Sequence, residues 1–107
     1  MNEWRTYLYE YSLFRLGECL SHRAEYAAAR QQYEQLHMRF PRSYFRLLAF
    51  SGIADTFFRE NQKVKADVVL RQLRGALDEI DFSKAPPTLS RQNWEEYLKK
   101  MEQDLRK

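Results

Sequence analysis

The stretch YAAARQQYEQLHMRFPRSYFR, residues 26–46, admits two readings, and the choice between them decides the fold. In its second half three arginines and three aromatics surround Pro41. That mixture can grip a nucleic-acid strand, since guanidinium groups pair with phosphates and rings stack on bases. In its first half Tyr26, Ala29, Tyr33, Leu36 and Phe40 fall at steps of three and four, the period of a helix with one buried face. Pro41 then ends that helix, and Tyr44 and Phe45 open the apolar face of the next. On this second reading the aromatics form the joint between two packed helices and the arginines stand exposed beside them.

The flanking segments follow the same helical period. A first helix is expected from about Glu3 to Ser21, with Trp4, Tyr7, Leu8, Tyr11, Phe14, Leu16 and Leu20 leaving little of its circumference polar, so that it should be covered on most sides. A third fits Ser43 to Glu60, carrying Leu47, Phe50, Ala54, Phe57 and Phe58. A fourth carries Ala66, Leu70, Leu73, Leu77 and Ile80. Consecutive prolines at 86 and 87 mark the clearest loop. The last helix starts with Ser90 as its cap and buries Trp94, Tyr97, Leu98, Met101 and Leu105, with Glu95–Lys99 and Glu96–Lys100 pairing on its wet face.

Composition agrees with an all-α fold. Only three glycines and three prolines interrupt 107 residues, a length that supports one domain with a real core. The net charge of +3 is spread evenly, with 7 basic and 5 acidic groups in residues 1–50 and 11 and 10 in residues 51–107. A nucleic-acid binder usually concentrates positive charge on one face. The single cysteine, Cys19, excludes a disulfide within the chain and is expected to be a small buried hydrophobe. The start, MNEWRTYLYEYSLF, is charged at Glu3, Arg5 and Glu10 and lacks the apolar run of a signal peptide, and no stretch is apolar for long enough to span a bilayer. The default expectation is cytosolic, and an excised domain of an exported protein would look the same.

Gly17, Ala29, Tyr33 and Pro41 stand at offsets of 0, 12, 16 and 24. Small residues at the first two let antiparallel helices cross closely, an aromatic fills the space beyond, and proline turns the chain. These positions resemble the tetratricopeptide repeat over about residues 10–43, and Ala54, Ala66 and Leu70 repeat the first three offsets 37 residues later. The style Y..AR..YE.L..RFP.S is similar to the bacterial cell-envelope branch of that family, the outer-membrane assembly lipoproteins and the Tol-Pal-associated periplasmic coordinator. The resemblance implies a right-handed α-α superhelix with repeats at about 10–43 and 47–80, a C-terminal capping helix at about 89–106, and a location in the periplasm or envelope if the chain is excised.

The resemblance also implies a noncatalytic interaction module or scaffold whose concave groove takes a peptide or partner helix. The family's groove positions fall here on Tyr11, Phe14, Glu18, Ser21 and His22, then on Leu48, Ser51, Asp55, Phe58 and Arg59. Chaperone-binding members hold a terminal carboxylate with Lys and Asn where this chain has Phe14 with Glu18 and Ser51 with Asp55, so no carboxylate clamp is expected. Two acidic groups there favour a neutral or basic ligand. Two repeats leave open edges, which self-association or membership of a longer array would cover.

No motif for catalysis or for a cofactor is present. There is no phosphate loop or nucleophile elbow, and Asp78, Glu79 and Asp81 are expected to be solvated surface. Cys19 and His22 share a helical face, but zinc takes four ligands and His37 stands apart, so no metal is expected. The alternative function is a small helical nucleic-acid binder using Arg39, Arg42, Arg46, Lys63 and Lys65.

Overall fold

The computed structural model describes residues 3–106, with side chains from Arg5 onward. Five α-helices pack on one another: α1 (Glu3–His22), α2 (Tyr26–Arg39), α3 (Tyr44–Arg59), α4 (Lys63–Ala76) and α5 (Arg91–Leu105). Three short 3₁₀ turns, Leu77–Glu79, Phe82–Lys84 and Pro87–Leu89, connect the last two. No strand occurs among the described residues, and none of their helices is long and apolar enough to cross a membrane. The Trp4 side chain, expected at the edge of α1, lies outside the described residues.

Helices α1 and α2 form one antiparallel hairpin and α3 and α4 a second, and α2 packs on α3. The two hairpin turns share one backbone pattern, 37 residues apart. Ala24 and Asn61 both adopt a left-handed conformation, at φ 60° and 61°. Beyond them the Glu25 N–H donates to the Leu20 carbonyl at 2.9 Å, and the Gln62 N–H to the Phe57 carbonyl at 2.8 Å. Such left-handed closures satisfy the last carbonyls of a helix while reversing the chain.

The corner between the hairpins is different. The Ser43 hydroxyl caps α3 by accepting from the Phe45 N–H at 3.1 Å. Arg46, expected to be exposed, is buried instead. Its Nε donates to His37 Nδ1 at 3.0 Å and its Nη1 to the Pro41 carbonyl at 2.9 Å, while it pairs with Glu79 Oε2 at 2.5 Å and lies over the Phe50 ring. A buried guanidinium needs acceptors such as these, and one side chain thereby ties α2, the corner and the turn after α4 together.

Asp78 and Glu79 are exposed, as expected of solvated surface, and Asp81 is half-buried, yet each of the three is hydrogen-bonded. Asp78 pairs with Arg91 Nη2 at 2.6 Å at the start of α5, and Asp81 accepts from the Ser83 N–H at 3.0 Å. The acidic run fastens the α4–α5 connection. Helix α4 ends at Ala76 and tightens into a 3₁₀ turn rather than running on to Ile80, which keeps Leu77 and Ile80 on the buried side.

The core runs from Ala29, Tyr33 and Leu36 on α2 through Leu47, Phe50 and Ile53 on α3 to Leu70 and Leu73 on α4, and on to Trp94 and Leu98 on α5. At the cap of α5 the Ser90 hydroxyl accepts from the Asn93 N–H at 3.3 Å, and Arg91 Nε bonds Glu95 at 3.1 Å, occupying the carboxylate expected to face Lys99.

The expectation that α1 is covered on most sides does not hold. Tyr7, Leu8, Tyr9, Tyr11 and Leu16 are all at least 40% exposed. Helices α2 and α3 make the main contacts with this helix, and these side chains are left partly open to solvent. Cys19 belongs to that open side and is exposed, not buried.

Candidate functional site

A cleft opens where the C-terminal half of α1 lies beside α3 from Leu48 to Arg59. Both helices are antiparallel to α2, so they run parallel to each other and also touch directly. Tyr33 from α2 fills the space between them. A Cβ placed at Gly17 would come within 2.5 Å of the Tyr33 ring, and one at Gly52 within 2.5 Å on its other side. The two glycines are what let both walls close on this ring.

The cleft has a volume of about 480 Å³. From α1 it is lined by Phe14, Glu18, Ser21 and His22, and from α3 by Leu48, Ser51, Asp55 and Arg59. Two residues placed in the groove by the repeat register are elsewhere. Tyr11 packs against Tyr7 and Phe45 beside the corner, and Phe58 is half-buried against the core.

Four lining residues were not legible as such. Tyr33 and Gly52 form the floor, while Tyr97 and Met101 bring α5 in as a third wall. Ser51 Oγ and Tyr97 Oη share a hydrogen bond of 2.8 Å that joins this wall to α3. The i,i+4 spacing of Tyr97 and Met101 was the available signal, but it marks only a shared face and not which helix that face meets.

Charge in the cleft is uneven. Glu18 pairs with Arg15 at 3.0 Å, one turn back along α1, and Asp55 with Arg59 Nε at 2.8 Å. Burial pushes the Tyr33 phenol up to about 12, and the Glu18 and Asp55 carboxylates add to that rise. Burial likewise raises Tyr97, with Asp55 adding to the effect and the Ser51 hydrogen bond opposing it. Both phenols therefore stay neutral and offer hydroxyl groups at ordinary pH.

A larger concavity of about 870 Å³ lies at the corner, with Tyr7, Phe40, Tyr44 and Phe45 as its aromatic surface and Glu10, Arg42, Asp81 and Lys84 around it. The five cations of the nucleic-acid reading do not gather there. Arg46 is committed to its buried network, and Arg39 bonds the Tyr9 hydroxyl. Lys63 and Lys65 begin α4, at the far end of the 16-residue α3, roughly 24 Å away at the helical rise per residue. Among the described residues no three His, Cys, Asp or Glu side chains converge as metal ligands. Compared with protein-family models, curated proteins and solved structures, the chain matches none.

Proposed function

We propose that this chain is a noncatalytic protein-interaction module of two tetratricopeptide-like hairpins and a C-terminal helix, which holds a peptide or partner helix in the cleft between α1 and α3. The observation that carries this reading is convergence. Eight of the ten side chains that the repeat register assigns to a concave groove line one cleft, although they come from two helices far apart in sequence. The shared geometry of the two hairpin turns, 37 residues apart, supports the same register. The mixture in the cleft suits recognition, with Phe14 and Leu48 as apolar anchors beside single charges and hydroxyls. By its resemblance to the envelope branch, a bacterial envelope assembly is the setting for such a module.

The test is selection from a random peptide display library on the immobilised protein. Enriched peptides should bind the native chain and lose about ten-fold or more in affinity to Leu48→Glu, a variant confirmed helical by circular dichroism. Enrichment no greater than on Leu48→Glu sinks the reading.

A further inference from the structure

We infer that the cleft is a receptor for one cationic side chain, a lysine or arginine presented by an extended peptide. The inference rests on the interaction-module reading above and narrows it from any peptide or helix to one chemistry.

The cleft is elongated and open along one side: its lining runs from Phe14 to His22 on α1 and from Leu48 to Arg59 on α3, about 16 Å at the helical rise per residue, a length that an extended peptide can follow. A long, unbranched side chain fits, with its methylene stem against Phe14 and Leu48 and its charged end among the polar groups.

Two independent features set the sign of that charge. Glu18 on one wall and Asp55 on the other supply carboxylates from opposite sides. Both helices also end beside this mouth, at His22 and Arg59, so the negative ends of their dipoles add to the same sign, their last carbonyls being bonded within the turns. The hydroxyls of Ser51 and Tyr97 add acceptors for the remaining N–H groups.

Arg59 also lines the cleft, and its pairing with Asp55 is the main competitor. Both partners of that pair are more than half exposed, and such pairs hold weakly, so an incoming ammonium or guanidinium can displace Arg59 toward solvent. Arg15, the partner of Glu18, is not among the lining residues. The chain as a whole carries +3, which by itself would draw acidic peptides. A preference for basic ones must therefore come from the cleft.

The experiment uses fluorescein-labelled degenerate peptide pools with a fixed central Lys, Arg, Leu or Glu, titrated with the full chain and followed by anisotropy. The Lys and Arg pools should bind about ten-fold or more tighter than the Leu and Glu pools, with a margin that shrinks as salt is raised. Glu18→Gln with Asp55→Asn should erase that margin, bringing the Lys and Arg pools to the same affinity as the Leu pool. Equal binding of the Lys and Leu pools, both lost in Leu48→Glu, overturns the inference and leaves the cleft a peptide site. A Lys preference that survives the double amide variant overturns it as well. If no pool binds, the interaction-module reading falls with it.

Discussion

The two hairpins close with the same turn and then meet different surroundings. In the second, α3 is enclosed by α1, α2 and α4, and Leu47, Ala49, Ile53 and Ala54 are buried along it. In the first, α1 packs mainly on α2 and α3 and leaves Leu8 and Leu16 at least 40% exposed. The turn is a local property, set by a left-handed residue and the hydrogen bond beyond it. Burial is a property of position in the stack, and an edge helix with an apolar sequence stays partly open because little packs on its outer face.

The contrast is tested most strongly at Tyr33, where the hairpins interlock. Gly17→Ala and Gly52→Ala should each cost about 1–3 kcal/mol in denaturant unfolding, because the added methyl meets a ring that is 2% exposed and held from both sides. Gly75→Ala is the control, since a Cβ there meets nothing within 4 Å, and it should gain about 0.5–1 kcal/mol. Loss at Gly52 but not at Gly17 would show that the first hairpin yields where the second does not.

A smaller effect is expected from the corner that joins them. His37 Nδ1 accepts from Arg46, and burial followed by the Arg46 charge lowers the His37 pKa below its usual 6.5, against weaker opposing pulls from Glu34 and Glu79. The unfolded chain thus binds this proton more readily than the folded one. The contribution to stability is complete above pH 6.5 and is lost as pH falls from there toward the depressed folded value. Unfolding midpoints measured from pH 8 to 5 should show this decline, and His37→Gln should flatten it; an equal slope in the variant removes His37 as the cause.

The smallest effects belong to the turns themselves. Ala24→Gly should stabilise the first turn by about 1 kcal/mol, because a left-handed alanine carries a Cβ penalty that glycine lacks. Asn61→Gly should gain less, since asparagine tolerates that conformation. Thermal melts of the two variants rank the turns, and a larger gain at Asn61 would break their equivalence.

Much of the helical layout was legible because periodicity and caps act over a few residues. Ser43 and Ser90 cap the helices they precede, and Pro41 lies in the turn between α2 and α3. Two arginines from one short stretch show where such reading stops. Arg42 is exposed and Arg46 is buried, yet nothing in RFPRSYFR distinguishes them, because the acceptors that allow Arg46 to be buried include His37 and Glu79, the latter 33 residues away. The candidate site divides in the same way. The groove positions implied by the family resemblance picked out Glu18, Ser51 and Asp55, whereas Gly52 and Tyr97 entered through the packing of separate helices.

By itself, then, the sequence determined the helices, most of their ends and the apolar faces they carry, since these follow from dihedral preference, capping and a period of three to four residues. The tertiary structure alone decided which faces are covered, which arginine is satisfied inside, and that α5 walls a cleft between α1 and α3. Those outcomes depend on partners brought close in space by the stacking of hairpins, and a local pattern holds no record of which partner arrives.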